Sequence, residues 1–187
     1  LTDDLSRFTK AVNLFLQEQG VPPATEEEVG CYNSDIMSFY RQRSINLPMA
    51  EINEKIFQIY ARLPDLIPLR SAAVETLEKF RLPQVLVTRH PTYLVEEEMA
   101  QLGLRKYFTE ICSGALDKAV LFRQLCEDRK LPAVQAVSVG DMVRDIEAGK
   151  RAGTRTIAIP GYHPKYILEQ QHPDYLVDSL AEVYECI

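Results

Sequence analysis

The sequence has no long apolar run and no excess of basic residues. No stretch approaches the roughly 20 apolar residues that a membrane-spanning helix needs, and we expect no signal peptide before the first predicted helix. Asp and Glu (27) outnumber Lys and Arg (21), so the formal net charge is −6. Because affinity for nucleic acids comes mostly from Lys and Arg on phosphates, we expect neither a membrane nor DNA or RNA as the main partner.

Cysteine is also scarce, and its four positions are scattered. There is no CxxC pair and no histidine at zinc-finger spacing, which favours reduced thiols and a cytoplasmic protein over a disulfide framework or a structural zinc site. The sequence shows no internal repeat and no low-complexity segment. Its 187 residues suit one domain, or a core that carries a small insertion. The cysteines are Cys31, Cys112, Cys126 and Cys186.

The first third of the chain reads as helical. "DDLSRFTKAVNLFLQEQG" repeats apolar residues at helical spacing, with Phe8, Val12 and Phe15 on one stripe, and it ends at Gly20. Thr25 and Glu28 follow the turn "VPPATEEEVG" at capping-box spacing. "NSDIMSFYRQR" and "PMAEINEKIFQIYARL" predict two further helices. We therefore interpret residues 8–66 as a small α-helical unit.

From Pro68 onward short apolar strands alternate with amphipathic helices. "QVLVT", "EICSG", "AVSVG" and "TRTIAI" predict strands, and "DYLVDSLAEVYE" predicts one more strand and helix. This alternation predicts an α/β fold with a doubly wound, Rossmann-like parallel sheet, formed by residues 1–7 and 67–187. Because ligands bind at the carboxyl ends of such strands, the residues at the end of each strand are the candidate site.

Two aspartates follow the strand in "VSVGDMVRDIEAGKRAG". Asp141 comes directly after the strand, and the i, i+4 spacing to Asp145 predicts that both carboxylates lie on one side of a helix N-terminus. Hard oxygen ligands of this kind suit Mg²⁺, which keeps several waters and takes one or two carboxylates. A simpler account is that acids stabilise helix N-termini and that Gly-Asp is a common turn.

Two more polar residues stand where a strand ends or a helix begins. Thr88 ends "VLVT", and its hydroxyl could hydrogen-bond a phosphate oxygen, although β-branched residues often close strands. Lys118 opens a helix, where a cation is out of place unless it neutralises an anion, although most lone lysines are solvated. Thr88, Lys118 and the pair Asp141 and Asp145 stand in this order at three successive strand ends or helix starts. This order is harder to explain by chance than any one of the three signals.

These motifs resemble those of the haloacid-dehalogenase-like (HAD) hydrolases, in particular the phosphoglycolate-phosphatase-like branch. "VLVT" with Thr88, then Lys118, then "VSVGDMVRD" and "AGKRAGT" resemble motifs two, three and four, and "MAQLGLRKYFTEICSG" extends the likeness. The resemblance implies that residues 8–66 are a helical cap. It also implies that Thr88 and Lys118 hold the transferring phosphoryl group, that Asp141 binds Mg²⁺ directly and that Asp145 supports it through water.

The first motif of that family, an apolar strand ending in DxDGT, does not occur in the sequence. Asp3 and Asp4 are adjacent, and "LTDDLSRF" resembles the segment directly after DxDGT in relatives. We expect that the natural protein carries the motif upstream, with its nucleophilic aspartate, and that residues 1–187 alone are inactive. Arg89, assigned here to substrate binding, and Ala119 depart from the residues frequent in relatives, so the substrate stays open.

The resemblance implies a Mg²⁺-dependent phosphatase that hydrolyses a small phosphorylated metabolite through an aspartyl-phosphate. Three alternatives remain: a 2-haloacid dehalogenase, which would not need the two aspartates for a metal, a phosphomutase, and a non-catalytic binding protein of the same fold. His90, His163 and His172 come after strands or lie in loops, and we expect surface positions for them in preference to substrate contacts.

Overall fold

The computed structural model describes residues 1–31, 36–64 and 67–187. They divide into two compact units, one formed by residues 2–68 and the other by Leu1 together with residues 69–187. The predicted helix "NSDIMSFYRQR" begins at residue 33, so its first three residues lie outside the described ones. The interpretation of residues 8–66 as a cap stays a prediction.

The unit of residues 2–68 is built from helices. The apolar stripe of the first helix is buried, with Val12 and Phe15 fully enclosed, because residues three and four apart share one helical face. Arg7 joins the first helix to the last by donating from Nη2 to the carbonyl oxygens of Tyr60 (2.9 Å) and Leu63 (3.1 Å). The helices are α1 (Leu5–Glu18), α2 (Glu26–Gly30), α3 (Ile36–Gln42) and α4 (Met49–Arg62).

The capping box expected at Thr25 and Glu28 is confirmed. Glu28 N donates to Thr25 Oγ1 (3.1 Å), and Thr25 N donates to Glu28 Oε2 (2.8 Å), at the start of α2. Two amide groups that a helix start leaves unsatisfied are thereby paired. The segment read as a turn therefore includes a short helix at its end.

The second unit alternates strands and helices, as the sequence predicts for an α/β fold. The C-terminal glycines of two of its helices, Gly103 and Gly153, adopt left-handed conformations that end the helix. The elements are α5 (Ala73–Lys79), β1 (Val85–Val87), α6 (Thr92–Leu102), β2 (Glu110–Cys112), α7 (Lys118–Asp128), β3 (Val137–Gly140), α8 (Val143–Ala152), β4 (Arg155–Ala158), α9 (Lys165–Glu169), β5 (Tyr175–Leu176) and α10 (Leu180–Val183).

All strand pairs in this unit are parallel, and they form two sheets. One sheet has the order β1-β2, with Val85 opposite Glu110, and the other has the order β3-β4-β5, with Val137 opposite Arg155. Among the described residues no strand pairs with the second edge of β1 or of β3. The expected parallel strands and their connections are therefore present, but they do not join into one continuous sheet.

Each sheet packs on its own apolar cluster. Ile157 and Ile159 belong to the cluster beside β3–β5, and Leu104 belongs to the one beside β1 and β2. Leu1 packs against both clusters, and its carbonyl oxygen accepts a hydrogen bond from Arg70 N (2.9 Å). The residues around Leu1 therefore connect the two sheets.

The sequence predicts reduced thiols, and the structure contains free cysteines. All four cysteines are free, and a cytoplasmic location stays a prediction. Among the described residues no helix combines the length and the apolar character that crossing a membrane requires.

Candidate active site

The candidate site begins where β3 ends. Asp141 follows the last residue of β3, and Met142 in an extended conformation precedes α8, which starts at Val143. Asp141 therefore lies in the turn before α8, outside the helix, and the expectation that both carboxylates lie on one side of the helix N-terminus stays a prediction. The carboxylates approach each other because the chain turns between strand and helix, and Asp145 comes from the first turn of α8.

Gly140 permits this approach. A Cβ atom at Gly140 would overlap Cβ of Asp145 and would lie 2.7 Å from both its Cγ and its Oδ2. Any side chain at this position would force the start of α8 away from β3. The glycine in "VSVGD" is therefore a packing requirement of the site and not only a turn residue.

The Asp141 carboxylate is held by Arg70. Nη2 of Arg70 lies 2.6 Å from Oδ2 of Asp141, and Tyr162 N donates to the same oxygen (3.2 Å). Burial among protein atoms raises the pKa of Asp141, the charge of Asp145 raises it further, and the charge of Arg70 lowers it. One third of the side chain is still exposed, so the group combines desolvation with access from solvent.

Lys118 and Asp145 form a second ion pair. Nζ of Lys118 lies 2.7 Å from Oδ1 of Asp145, and the two side chains are only 17% and 11% exposed. Lys118 is the first residue of α7, and Asp117 caps that helix by accepting from Ala119 N at 2.9 Å. The structure thus brings together two residues that the sequence places 27 positions apart.

Thr88 lies in an ordered loop at the end of β1. Thr88 N donates to Cys112 O (2.9 Å), and Ala115 N donates to Thr88 O (2.9 Å), so the backbone of Thr88 is fixed on both sides. Its Oγ1 accepts a hydrogen bond from His90 N (3.2 Å). The hydroxyl therefore serves as an acceptor within the loop and keeps its own hydrogen for donation.

Arg89 follows Thr88 and is half-buried. Burial lowers the pKa of the Arg89 guanidinium, the charge of Arg144 lowers it further, and the charge of Asp145 raises it. These effects place Arg89 in the electrostatic neighbourhood of the first turn of α8. Asp145 packs against Gly140, the residue before Asp141, so Asp141 and the Lys118–Asp145 pair form one charged cluster. The roles of these residues and of Arg89 stay predictions.

The histidines differ from the expectation of surface positions. His163 is 2% exposed, which contradicts that expectation, and its Nδ1 accepts a hydrogen bond from Val143 N (3.0 Å) at the start of α8. His163 N also donates to Asp141 O (3.0 Å). His90 is half-buried, with Nδ1 3.1 Å from Oε1 of the buried Glu98, and His172 is exposed.

Sequence reasoning missed Arg70 and the supporting role of His163. Arg70 lies 71 positions from Asp141, and no spacing rule links residues that far apart. Gly161 gave a weak signal, because its lack of a side chain makes room for the Arg70 guanidinium, which a Cβ atom there would overlap. Arg70 Nη1 also donates to Pro160 O (2.8 Å), so the loop after β4 holds it in place.

The donor set is compatible with one Mg²⁺ ion. Within the described ranges no three His, Cys, Asp or Glu side chains converge, so the chain offers no all-protein cage. Mg²⁺ needs only one or two carboxylates and completes its shell with water and phosphate oxygens. Both hydrogen bonds to the Asp141 side chain go to Oδ2, and Oδ1 accepts none from the part of the chain that the structure describes.

The family of the chain is established by comparison with known proteins. The sequence profile of the family described as haloacid dehalogenase-like hydrolase matches residues 1–159. The chain belongs to the haloacid dehalogenase-like hydrolase family. The resemblance drawn from its motifs is thereby confirmed.

Several proteins with similar sequences are phosphoglycolate phosphatases. The phosphoglycolate phosphatase of Vibrio parahaemolyticus is 26% identical over 208 residues, covering 100% of this chain and 91% of the relative. The phosphoglycolate phosphatase of Neisseria meningitidis is 26% identical over 210 residues, covering 99% and 88%. These relatives support the assignment to the phosphatases of the family.

Solved structures show the same fold. A predicted phosphoglycolate phosphatase from Haemophilus somnus aligns with a TM-score of 0.80 at 23% identity, covering 100% of this chain and 92% of that one. CbbY from Rhodobacter sphaeroides, solved in complex with phosphate, aligns with a TM-score of 0.76 at 22% identity, covering 98% and 91%. The α/β fold class predicted from the sequence is confirmed.

Proposed function

We propose that this protein is a Mg²⁺-dependent phosphatase that hydrolyses the phosphate monoester of a small metabolite. The observation that carries the proposal is the charged cluster at the end of β3, where Asp141 lies beside the Lys118–Asp145 ion pair. The phosphoglycolate phosphatases among its relatives support the same chemistry. Phosphate monoesters hydrolyse so slowly that an enzyme must supply charge neutralisation and positioning, and this cluster would provide both.

Asp141 and Asp145 are the residues that would hold the metal. Asp141 Oδ1 would bind Mg²⁺ directly, and Asp145 would support it through water. When bound, the divalent ion would offset the repulsion between an anionic nucleophile and the phosphate. Arg70 keeps Asp141 Oδ2 in place at 2.6 Å, so the carboxylate is oriented before a ligand arrives.

Lys118 and Thr88 would bind the transferring phosphoryl group. Asp145 fixes the Lys118 ammonium at 2.7 Å, which leaves two of its three N–H groups to donate to phosphoryl oxygens. The Thr88 hydroxyl accepts from His90 N and can donate its own hydrogen to another oxygen. Donors that are fixed before the reaction stabilise the charge of the transition state without further reorganisation.

The attacking group would be an aspartate upstream of Leu1, and the reaction would pass through an aspartyl-phosphate. Two observations support a strand there: β1 and β3 each have one edge without a partner among the described residues, and Leu1 packs against the clusters of both sheets. A covalent intermediate divides one difficult displacement into two easier ones. The reading frame of the natural protein, or its intact mass, tests for this segment, and an initiator methionine directly before Leu1 would refute it.

The function is tested with the Asp141→Asn variant of the full-length protein. We expect Mg²⁺-dependent release of phosphate from p-nitrophenyl phosphate and from a panel of small phosphorylated metabolites. Asp141→Asn should lower that activity by at least about 100-fold, since it removes a charge that acts in the transition state. Its circular dichroism spectrum should match that of the wild type.

The matched control is Asp128→Asn. Asp128 is an exposed aspartate at the end of α7 that accepts a hydrogen bond from Gln124 (2.9 Å). This variant should retain wild-type activity. Wild-type turnover in Asp141→Asn would remove Asp141 from the mechanism, and hydrolysis that is equally fast in EDTA would exclude the metal.

A further inference from the structure

Glu98 is a buried carboxylate that the proposed mechanism does not use. It lies on the buried face of α6, where Val95 and Met99 of the same helix are buried with it. Only 8% of Glu98 is exposed. A carboxylate is seldom buried unless it is paired, because removing its charge from water is costly. A buried acid outside the charged cluster therefore needs both a partner and a reason for its presence.

The partner of Glu98 is His90. Nδ1 of His90 lies 3.1 Å from Oε1 and 3.3 Å from Oε2 of Glu98, so the ring nitrogen contacts both oxygens. An ionised carboxylate can only accept hydrogen bonds, so this contact requires a hydrogen on Nδ1 of the imidazole. In the part of the chain that the structure describes, the Glu98 carboxylate has no other hydrogen-bond or ion-pair partner. The orientation of the His90 ring is therefore held from α6.

The backbone of His90 connects this pair to the candidate active site. His90 N donates to Thr88 Oγ1 (3.2 Å), and Gly114 N donates to His90 O (2.8 Å). The ring, the amide and the carbonyl of His90 thus each have a partner, and these partners lie in α6, in Thr88 and in the loop after β2. A hydrogen bond weakens steeply when its length or angle changes. The orientation of the Thr88 hydroxyl therefore depends on Glu98 through His90.

Stability alone does not explain an acid at position 98. Replacing a buried charged pair by apolar residues of similar size is often neutral or stabilising, because desolvation offsets the attraction between the charges. The neighbours Val95 and Met99 show that this face of α6 accepts apolar side chains. A buried polar pair that adds little stability can instead specify one geometry. Here the specified geometry is that of the hydroxyl assigned to the phosphoryl group.

We propose that Glu98 is a positioning residue, which acts through His90 to keep the Thr88 hydroxyl in the orientation that donates to the reacting phosphate. This inference rests on the proposed phosphatase function and adds to it a residue outside the motifs that carry the family resemblance. His90 N occupies an acceptor site of Thr88 Oγ1, so the hydrogen of the hydroxyl is left for a phosphoryl oxygen. A donor fixed in this way stabilises the transition state without reorganisation.

A double-mutant cycle tests whether Glu98 acts through Thr88. Full-length wild type, Glu98→Met, Thr88→Val and the double variant are assayed with p-nitrophenyl phosphate and Mg²⁺. Methionine has a similar volume to glutamate but offers the His90 ring no carboxylate. The His90 side chain is 23% exposed, so its ring can reach water when the carboxylate is gone. The single variant therefore removes the contact without leaving a buried charge unpaired.

The two substitutions should not act independently. Thr88→Val should lower kcat/KM by about 100-fold, the usual effect of removing one donor to the transition state. Glu98→Met should lower it by about tenfold in the wild type, because a displaced donor loses part of its effect. In the Thr88→Val background the same change should cost less than about twofold, since the hydroxyl is already absent. Equal losses in both backgrounds, or no loss in either, would refute the proposal.

Two single variants serve as controls. Glu98→Gln keeps an acceptor for the His90 ring and should retain kcat/KM to within about threefold of the wild type. Glu97→Met replaces the preceding acid of the same helix, which is exposed and accepts a hydrogen bond from Gln101 (3.2 Å), and it should leave kcat/KM unchanged. A Glu98→Gln variant as impaired as Glu98→Met would overturn the role of the hydrogen bond.

The combined variant His90→Leu/Glu98→Met separates positioning from folding. Exchanging both partners for apolar residues leaves no unsatisfied group, so its Tm should equal or exceed that of the wild type. Its kcat/KM should nevertheless fall by about tenfold. A stable protein of lower activity is expected only if the pair positions the site. Wild-type activity in this variant would overturn the proposal, even where Glu98→Met by itself fails to fold.

Binding of inorganic phosphate separates this inference from the proposed function. Titration calorimetry gives the Kd of phosphate for the four proteins of the cycle, whether or not they hydrolyse a substrate. Thr88→Val should raise the Kd by about tenfold, the effect of losing a hydrogen bond to a charged group. Glu98→Met should raise it by about threefold in the wild type and leave it unchanged in Thr88→Val. That result supports the positioning role even where phosphatase activity fails, and a wild type that does not bind phosphate overturns it.

Discussion

The guanidinium of Arg70 lies 2.6 Å from the carboxylate of Asp141, across 71 positions of sequence. The same guanidinium donates to Pro160 O at 2.8 Å, and Gly161 leaves the space that it occupies. One side chain thus joins the residue after β3 to the loop after β4. The orientation of Asp141, the proposed metal ligand, therefore depends on a residue outside the motif that contains it.

Replacing Arg70 by Gln should destabilise the protein more than the loss of an ordinary surface ion pair. The Arg70 side chain is only 13% exposed, and its removal leaves a desolvated carboxylate with a single backbone donor from Tyr162. We expect the free energy of unfolding at pH 7 to fall by about 1–3 kcal/mol in Arg70→Gln, the usual cost of an unsatisfied partly buried group. Urea unfolding in the presence of EDTA measures it.

Arg129→Gln provides the matched comparison. Arg129 and Glu110 also meet at 2.6 Å, but these side chains are 33% and 45% exposed. Surface pairs contribute at most about 1 kcal/mol, so this variant should be close to wild type. Equal losses in the two variants would mean that the Arg70–Asp141 pair is no more important for stability than a surface contact.

The raised pKa of Asp141 predicts a specific dependence of stability on pH in metal-free protein. Burial, followed by the charge of Asp145, raises the pKa of Asp141 in the folded state above the value of about 3.9 in the unfolded chain. The folded state then binds the proton more tightly, so this stabilisation is complete below pH 4 and is lost as pH rises through the raised pKa. Asp141→Asn cannot titrate and lacks this dependence.

Urea unfolding of both proteins in EDTA between pH 4 and pH 8 measures the difference. The stability of wild type relative to Asp141→Asn should decline as pH increases, because only wild type must ionise the buried group. Taking the difference removes the contributions of all other acids. A wild type that gains stability relative to the variant at higher pH would show that Arg70 lowers the pKa more than burial raises it.

Gly140→Ala should disturb the site by moving Asp145. The new methyl group would overlap Cβ of Asp145, and overpacking of this kind costs about 1–3 kcal/mol in stability. The displaced carboxylate would also lose its 2.7 Å contact with Lys118. We therefore expect Gly140→Ala to lower phosphatase activity of the full-length protein as well as its stability.

Gly103→Ala separates this effect from general backbone strain. Gly103 adopts a φ of 63° after α6, and a Cβ atom there would meet nothing within 4 Å. The left-handed conformation alone should cost about 1–2 kcal/mol, with activity preserved. If Gly140→Ala keeps wild-type activity while its stability falls, the close approach of β3 and Asp145 is not needed for the reaction.

Ala72→Gly should stabilise the protein. Ala72 precedes α5 with a φ of 61°, a left-handed conformation that costs an alanine about 1–2 kcal/mol and a glycine almost nothing. After the greater chain entropy of glycine is subtracted, we expect a gain of about 0.5–1 kcal/mol in the free energy of unfolding. Thermal unfolding should show a higher Tm.

Ala73→Gly, one position later, should have the opposite effect. Ala73 is a buried residue in the first turn of α5, so glycine there lowers helix stability by about 1 kcal/mol and removes a methyl group from the core. Destabilisation by both substitutions would show that Ala72 is not strained in solution.

Much of the fold could be predicted because its signals are local. The stripe of Val12 and Phe15 and the Thr25–Glu28 capping box depend on residues within one helical turn of each other, and the structure contains both. The alternation of apolar strands and helices after Pro68 predicted the α/β class in the same way. The division of the strands into two sheets was not visible in the sequence, because an edge is defined only by which strands lie beside it.

The positions of the candidate residues are determined by the sequence, and their pairings are determined by the tertiary structure. Strand ends identified Thr88 and Asp141, since parallel strands direct their carboxyl ends toward ligands. Nothing in the sequence paired Arg70 with Asp141 or buried His163 against the start of α8. Charge and hydrogen bonding act through space over a few ångströms, so only the folded chain decides which distant side chains neutralise each other and which cations remain for a ligand.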